Sequence, residues 1–459
     1  MSGIADLGAH GRPHPWWTPL RVVLAIGAVT FTLSLVVKAP CAAGAWWDSP
    51  NDYAKACHTP LVNDYAFSGL AERVAPWDAS ADQHVVRPEQ TVPDAAMSYA
   101  AAVVAQGVTG DADIDERRSA PVVDIAKDAE VRHESVVYIG VVAVVQLLAF
   151  LIGLRCLVLA RPRRPYAMVA MASAPVLLFT TVLGWDLIPI ALVCGAWLAW
   201  SRRRATVAGV LLGLAGAMAF WPLLILPALA LAGVRGDSLD VAGRAIGGAV
   251  VAWVCAVIPL VVVSGGAYFD PISAYVDLDL GAGSIWDIAA DLGVTPSSDA
   301  LNVALLIGML IVVGGVATFA LKAYRSPDAP TLALLLVLGW FVLTKTYEPQ
   351  YALVLLPLAA YAWPRWRDLL WWQGAEILFV LGTWWHEAGF TMDSGDVDRV
   401  YPALILIRVA AQLWLAARIM LDHRFASDDP SVELDPVERR DREPNVDRDV
   451  VTDLRRSDR

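Results

Sequence analysis

Long apolar runs separated by short, often basic, turns dominate this chain. The first run extends from Val22 to Val37. Ten more follow: Ser135–Leu159, Tyr166–Leu183, Leu187–Trp200, Ala205–Val234, Ala245–Val263, Leu301–Ala323, Pro330–Tyr347, Gln350–Trp363, Leu369–Phe390 and Tyr401–Leu421. A helix needs about 20 apolar residues to cross the hydrocarbon core of a bilayer, so these runs predict membrane helices. The stretch Ala205–Val234 is too long for one simple span, and Phe220-Trp221-Pro222 interrupts it. Proline removes a backbone hydrogen bond and costs about 3 kcal/mol in a helix interior, so two half-crossings are expected there, in and back out. No small-residue cleavage site follows the first run, which reads as a retained helix and not a removed signal peptide. The predicted fold class is an all-α polytopic membrane protein with about 12 crossing or half-crossing helices.

Two polar segments punctuate the pattern. Residues 39–134 hold 16 Asp and Glu against 7 Lys and Arg. Within them, Ala-rich Pro93–Val108 predicts a surface or re-entrant helix, and Gly110–Glu134 a flexible loop. The tail from Phe425 to Arg459 has 11 acids and 7 arginines. A segment of that composition buries too little apolar area to fold, so a membrane domain over 1–424 and a disordered tail over 425–459 are expected. Basic residues cluster at Arg161-Pro162-Arg163-Arg164, Arg202-Arg203-Arg204, Arg235, Arg244, Lys322, Arg325, Arg365 and Arg367, all on one side of the counted helices. The positive-inside rule makes that side cytoplasmic. Gly265–Ala300, with six aspartates and no Lys or Arg, falls outside, as does 39–134. Both termini are then cytoplasmic.

Composition agrees with a bilayer environment. The 459 residues are 57% hydrophobic, against roughly 45–50% in soluble domains. Nineteen tryptophans suit a chain with many membrane interfaces. A net charge of -11 excludes the basic face that nucleic acid binding requires.

Candidate chemistry concentrates in Cys41–Trp77, which carries Cys41, Trp46, Trp47, Asp48, Asp52, Cys57, His58 and Asp64. A disulfide between Cys41 and Cys57 would restrict this loop by about 3 kcal/mol in the chain-entropy picture, and an extracytoplasmic setting permits it. Cys156, Cys194 and Cys255 lie in apolar runs and read as small core residues. No CxxC or HExxH occurs and no histidines cluster at metal spacing, so neither a metal nor a cofactor is expected.

Several stretches, in order, resemble glycosyltransferase family 87. They are Cys41, Cys57, Gly69-Leu70-Ala71-Glu72 and Pro76-Trp77; Gly184-Trp185-Asp186-Leu187; Ala208-Gly209-Val210-Leu211-Leu212-Gly213-Leu214; and Pro222-Leu223-Leu224. Lys345, Pro349-Gln350-Tyr351, Leu355-Leu356-Pro357-Leu358 and Pro364-Arg365-Trp366-Arg367 complete the series. The resemblance covers most of the membrane part. It implies a GT-C fold with a long first outer loop, and transfer of mannose or a related sugar from a polyprenyl-phosphate carrier to an envelope glycolipid or glycan. The chain departs from the family where it has Cys57-His58-Thr59-Pro60, since Pro60 stands where a catalytic aspartate is expected. Ser68 and Ala219 stand where basic residues are expected, and the later outer loop offers Asp277 and Asp279.

Such a transfer needs a carboxylate to take the acceptor's proton and donors for the leaving phosphate. Asp64, one helical turn beyond Pro60, is the expected base; its alternative is a capping or solvated aspartate. Asp48 and Asp52 come next. Lys345, beside Gln350 and Tyr351, is expected to meet the carrier phosphate, or else to snorkel or pair with Glu348. Asp186 reads as a helix cap or an acceptor ligand. Trp384-Trp385-His386-Glu387 offers stacking by Trp385 and a proton from His386, or an interface belt. Arg408, within the last run, reads as an internal ion pair or a phosphate contact. The alternatives to a transferase are a degenerate relative that binds a lipid-linked glycan or a protein, and an envelope-precursor transporter.

Overall fold

The computed structural model describes residues 16–42, 44–47, 49–77, 90–110, 113–391 and 399–424. Among these no strand occurs. The first run forms α1 (Pro19–Ala42). The first loop folds into α2 (Ser49–Ala54), α3 (Leu61–Phe67), α4 (Val92–Thr109), α5 (Ile114–Ser119) and α6 (Val122–Ile125). Then come α7 (Ala129–Ala160), α8 (Val169–Ala172), α9 (Leu177–Thr180), α10 (Leu187–Ser201), α11 (Ala205–Met218), α12 (Ile225–Arg235) and α13 (Leu239–Ser264). The acidic loop holds α14 (Asp270–Asp277) and α15 (Ile285–Asp291). The remainder is α16 (Ser298–Lys322), α17 (Ala329–Leu343), α18 (Tyr351–Ala362), α19 (Trp366–Glu387) and α20 (Val400–Arg424). The tail expected beyond Arg424 lies outside the described residues.

Five helices, α1, α7, α13, α16 and α20, are long and apolar enough to cross a membrane. Shorter apolar helices run over Leu187–Ser201, Ala205–Met218, Trp221–Arg235, Ala329–Leu343 and Tyr351–Ala362. The described chain is therefore an all-helical bundle with the spans of a multi-pass membrane protein. Its outward faces are apolar: Val250, Val251, Ile258 and Val262 on α13, and Leu306, Ile307, Leu310 and Ile311 on α16, are exposed. Patches of that kind suit lipid and not water.

The break at Phe220-Trp221-Pro222 occurs as expected: α11 stops at Met218 and a 3-10 turn over Trp221–Leu224 leads into α12. The run Tyr166–Leu183 differs from the helix its apolarity predicts. It is a 3-10 turn (Pro165–Met168) followed by the four-residue α8 and α9, with Pro175 between them. Met168, Ala170, Met171, Ala172, Val176 and Leu177 are almost wholly buried. Irregular backbone is tolerated among membrane helices only where protein covers it.

The segment Gly110–Glu134 also differs from expectation. It holds α5, α6 and the start of α7, because Arg117 makes a two-pronged contact with Glu134 at 2.7 and 3.0 Å. Tyr65 donates to the same carboxylate at 2.7 Å, and Gln106 donates to the Tyr65 hydroxyl. This buried knot ties α3, α4, α5 and α7 together. The helix expected over Pro93–Val108 is α4, which buries Ala95, Ser98, Ala101, Ala102 and Ala105.

Contacts sort the polar groups to two ends. At one end Arg235 donates to the carbonyls of Leu321 and Ala323, and Arg365 pairs with Asp422 at 2.6 Å. Arg161 stacks on Tyr361 there, with its guanidinium carbon 4.4 Å from the ring centre. The first loop, the turn before α10 and the end of α19 meet one another away from these arginines, as the site below makes explicit.

Candidate functional site

Cys41, at the end of α1, is disulfide-bonded to Cys57, with Cα atoms 5.9 Å apart. The bridge folds the first loop back over α1. Trp46 donates its indole N–H to the Cys57 carbonyl at 2.9 Å. One residue on, the His58 carbonyl accepts from the Lys38 ammonium at 3.2 Å. The His58 ring packs tilted against Tyr53, centroids 4.1 Å apart, and meets Trp384 of α19 edge-on at 5.6 Å. Burial first, and the charge of Lys38 second, push the His58 pKa down to about 4, so its ring is neutral near pH 7. Among the described residues, Cys41, Asp52 and Cys57 form the one cluster of three metal-capable side chains. Two of its members are bonded to each other.

A group of carboxylates lies beside this box. Asp64, half-buried in the first turn of α3, accepts from the Gln90 amide at 2.5 Å. Gln90 precedes Thr91, the N-cap of α4, whose hydroxyl accepts from the Asp94 backbone at 3.3 Å. Burial pushes the Asp94 carboxyl up to about 7, against the pull of Thr91. Asp186 stands at the N-cap position of α10 without capping it. Burial, then the neighbouring charge of Asp94, push its carboxyl up to about 7 as well. Trp185, next to Asp186, donates to Ser98 one turn beyond Asp94 at 2.8 Å. Two half-buried carboxylates that change charge near neutrality are suited to exchanging protons.

Tyr351 lies within electrostatic range of Asp186 and Glu348, and Gln350 donates to Glu348. Tyr351 stacks on Phe341, centroids 4.9 Å apart. The structure thus brings Asp186, Gln350 and Tyr351 to one region, while Asp64 is held through Gln90 just before α4. Lys345 is placed differently. Its ammonium is fully buried and donates to three carbonyls, of Tyr275, Val276 and Leu278, at 3.2, 2.8 and 2.7 Å. These are the last carbonyls of α14, where a cation complements the helix dipole. Burial lowers its pKa, opposed by Asp279, Asp277 and Asp299.

Trp385 is exposed, while its neighbour Trp384 is buried against His58. His386 stacks on Tyr401 at 4.3 Å and shares a hydrogen bond with Thr391 at 3.2 Å. Asp52 is buried, and Asp48 lies outside the described residues. Arg408 is fully buried, donates to the Gly283 carbonyl at 2.9 Å, and has its guanidinium carbon 3.5 Å from the centre of the Tyr347 ring. Glu376 accepts from Tyr347, Trp372 and Gln412 at 3.0, 2.9 and 2.7 Å.

Sequence reasoning singled out Trp384 only as part of Trp384-Trp385-His386-Glu387 and missed Lys38, Asp94 and Glu376. A signal existed for two of them: Lys38 ends an apolar run and Glu376 interrupts another. Searches find no matching family model and no matching curated protein.

Proposed function

We propose that the protein is a membrane glycosyltransferase of GT-C type. It moves mannose or a related sugar from a polyprenyl-phosphate carrier to a glycolipid or glycan of the cell envelope. In this reading about 12 helices cross or half-cross the bilayer, the carboxylate end faces outward, and both termini are cytoplasmic. The observation that supports it most is the carboxylate group Asp64, Asp94 and Asp186 on a disulfide-pinned loop end, two of them titrating near neutrality. An attacking hydroxyl passes its proton to one of these carboxylates as its oxygen bonds the anomeric carbon and the carrier phosphate leaves. Asp64, Asp94 and Asp186 are the candidate bases, and Tyr351 and Gln350 the candidate substrate contacts. No cofactor takes part.

The test is reconstitution with labelled polyprenyl-phosphate-mannose and a membrane acceptor extract. Asp186→Asn and Asp64→Asn are each expected to lower transfer, and loss of the true base should cost at least ~100-fold. Transfer by the wild type should rise with pH through about 7, as Asp94 and Asp186 ionise, and then level off. Undiminished transfer in Asp64→Asn, Asp94→Asn and Asp186→Asn alike would overturn the reading.

A transporter is the second reading. It is favoured by Glu376 and Arg408, two fully buried charged side chains inside the bundle. Carrier-linked sugar that crosses vesicles without hydrolysis or transfer would select it.

A further inference from the structure

Around His58, buried polar groups converge that the fold itself leaves without acceptors. Lys38, His58 and Trp384 are each more than nine-tenths buried. The Lys38 ammonium has three N–H donors and makes one hydrogen bond, to the His58 carbonyl at 3.2 Å. No carboxylate lies within ion-pair distance of it among the described residues. The indole N–H of Trp384 and Nδ1 of His58 are buried with no hydrogen-bond partner, although their rings are in edge contact at 5.6 Å. A buried ammonium without a counter-charge is strongly unfavourable. Unmet donors of this kind normally mark a group that binds there.

The unmet set is rich in donors: two ammonium N–H, one indole N–H, and an imidazole nitrogen that becomes N–H in one tautomer. Donors and a positive charge recognise an oxyanion. Depth points to the source. Lys38 lies just before the last turn of α1, one of the five helices long and apolar enough to cross a membrane, whose Leu33 and Val36 are exposed apolar side chains. The end of such a helix sits where lipid headgroups lie. The carboxylates are near: Ser34, one turn before Lys38, accepts from Thr181 at 2.5 Å, and Val182 accepts from Thr59 at 2.8 Å. Four residues after Val182 comes Asp186. The stretch Thr181–Asp186 therefore touches the cationic box at one end and carries a carboxylate at the other.

We propose that Lys38, His58 and Trp384 form a binding site for a phosphate oxyanion, occupied by the phosphate of a polyprenyl-phosphate lipid. The site rests on the glycosyltransferase reading for its choice of lipid, and it supplies the cation which that reading needs for the leaving phosphate. Lys38 donates its two unused N–H groups to phosphate oxygens, and Trp384 and the Nδ1–H tautomer of His58 supply two more donors.

Binding separates the two claims. Full-length protein in lipid nanodiscs is titrated with undecaprenyl phosphate, with the uncharged undecaprenol, and with inorganic phosphate, and bound ligand is counted by native mass spectrometry. Undecaprenyl phosphate should bind and undecaprenol should not, with inorganic phosphate competing only at far higher concentration. Lys38→Gln should weaken binding by about tenfold or more, the size of one charged hydrogen bond, and Lys38→Arg should retain most of it. Trp384→Phe keeps the ring, loses the N–H, and should weaken binding several-fold. Asp186→Asn should bind as the wild type does even if transfer is abolished. Equal binding by wild type and by folded Lys38→Gln, or equal uptake of undecaprenol, overturns the site while leaving the transfer reading intact. Preference for inorganic phosphate over the lipid overturns the assignment of the source. Lipid binding without any transfer would sink the enzyme reading and keep the site.

Discussion

At the residue scale the first loop depends on one buried ion pair. Glu134 accepts twice from Arg117 and once from Tyr65. Removing one partner of such a pair leaves a buried charge uncompensated and typically costs about 3–5 kcal/mol. Arg117→Met should therefore lower the melting temperature sharply in detergent, and the double variant Arg117→Met/Glu134→Met should regain much of the loss. Asp94 and Asp186 carry a different signature. Their folded pKa of about 7 exceeds the ordinary 3.8, so the fold favours their protonated forms. The stability they contribute is complete below pH ~4 and lost as pH rises through about 7. Thermal melts between pH 4 and 8 should show that decline, and Asp94→Asn/Asp186→Asn should flatten it.

At the element scale, α11 and α13 approach so closely that a Cβ at Gly209 would run into the Ala245 carbonyl oxygen, and one at Gly213 into that of Ala249. Small residues allow this approach between membrane helices. Gly213→Leu should force the pair apart and destabilise by roughly 1–3 kcal/mol or more, read as a fall in melting temperature; Gly243→Ala, where a Cβ meets nothing within 4 Å, should not. Much of the element pattern was legible in the sequence, because apolar length and a proline such as Pro222 act locally. The pieces over 165–180 were not legible, since their form depends on cover from α1 and α7. Nor was the role of Lys345 legible: it meets carbonyls of α14, some 70 positions earlier in the chain. Lys38 carries no distinguishing signal in the sequence beyond ending an apolar run. Only the return of the loop through Cys57 sets the His58 carbonyl above it.

At the scale of the whole molecule, the proposed topology sets the arginine-bearing turns on the cytoplasmic side and the acidic loop outside, which is the arrangement the positive-inside rule expects. Cysteines introduced at exposed Thr295 and Arg203 should therefore label from opposite faces of intact cells, with Thr295→Cys reacting from outside. Removing the bridge with Cys57→Ser should cost about 3 kcal/mol through the freed 16-residue loop, measured against the wild type under reducing and oxidising conditions. The last helix has a further consequence. Arg408 reaches back 125 positions to Gly283, and Gln412 closes the hydrogen bonds of Glu376 and Tyr347. Until α20 emerges from the ribosome, Glu376 lacks the Gln412 partner that completes its polar shell. Completion of that polar core therefore waits on α20, and a chain stopped after α19 should be cleared by membrane quality control within a pulse-chase while the chain that includes α20 persists.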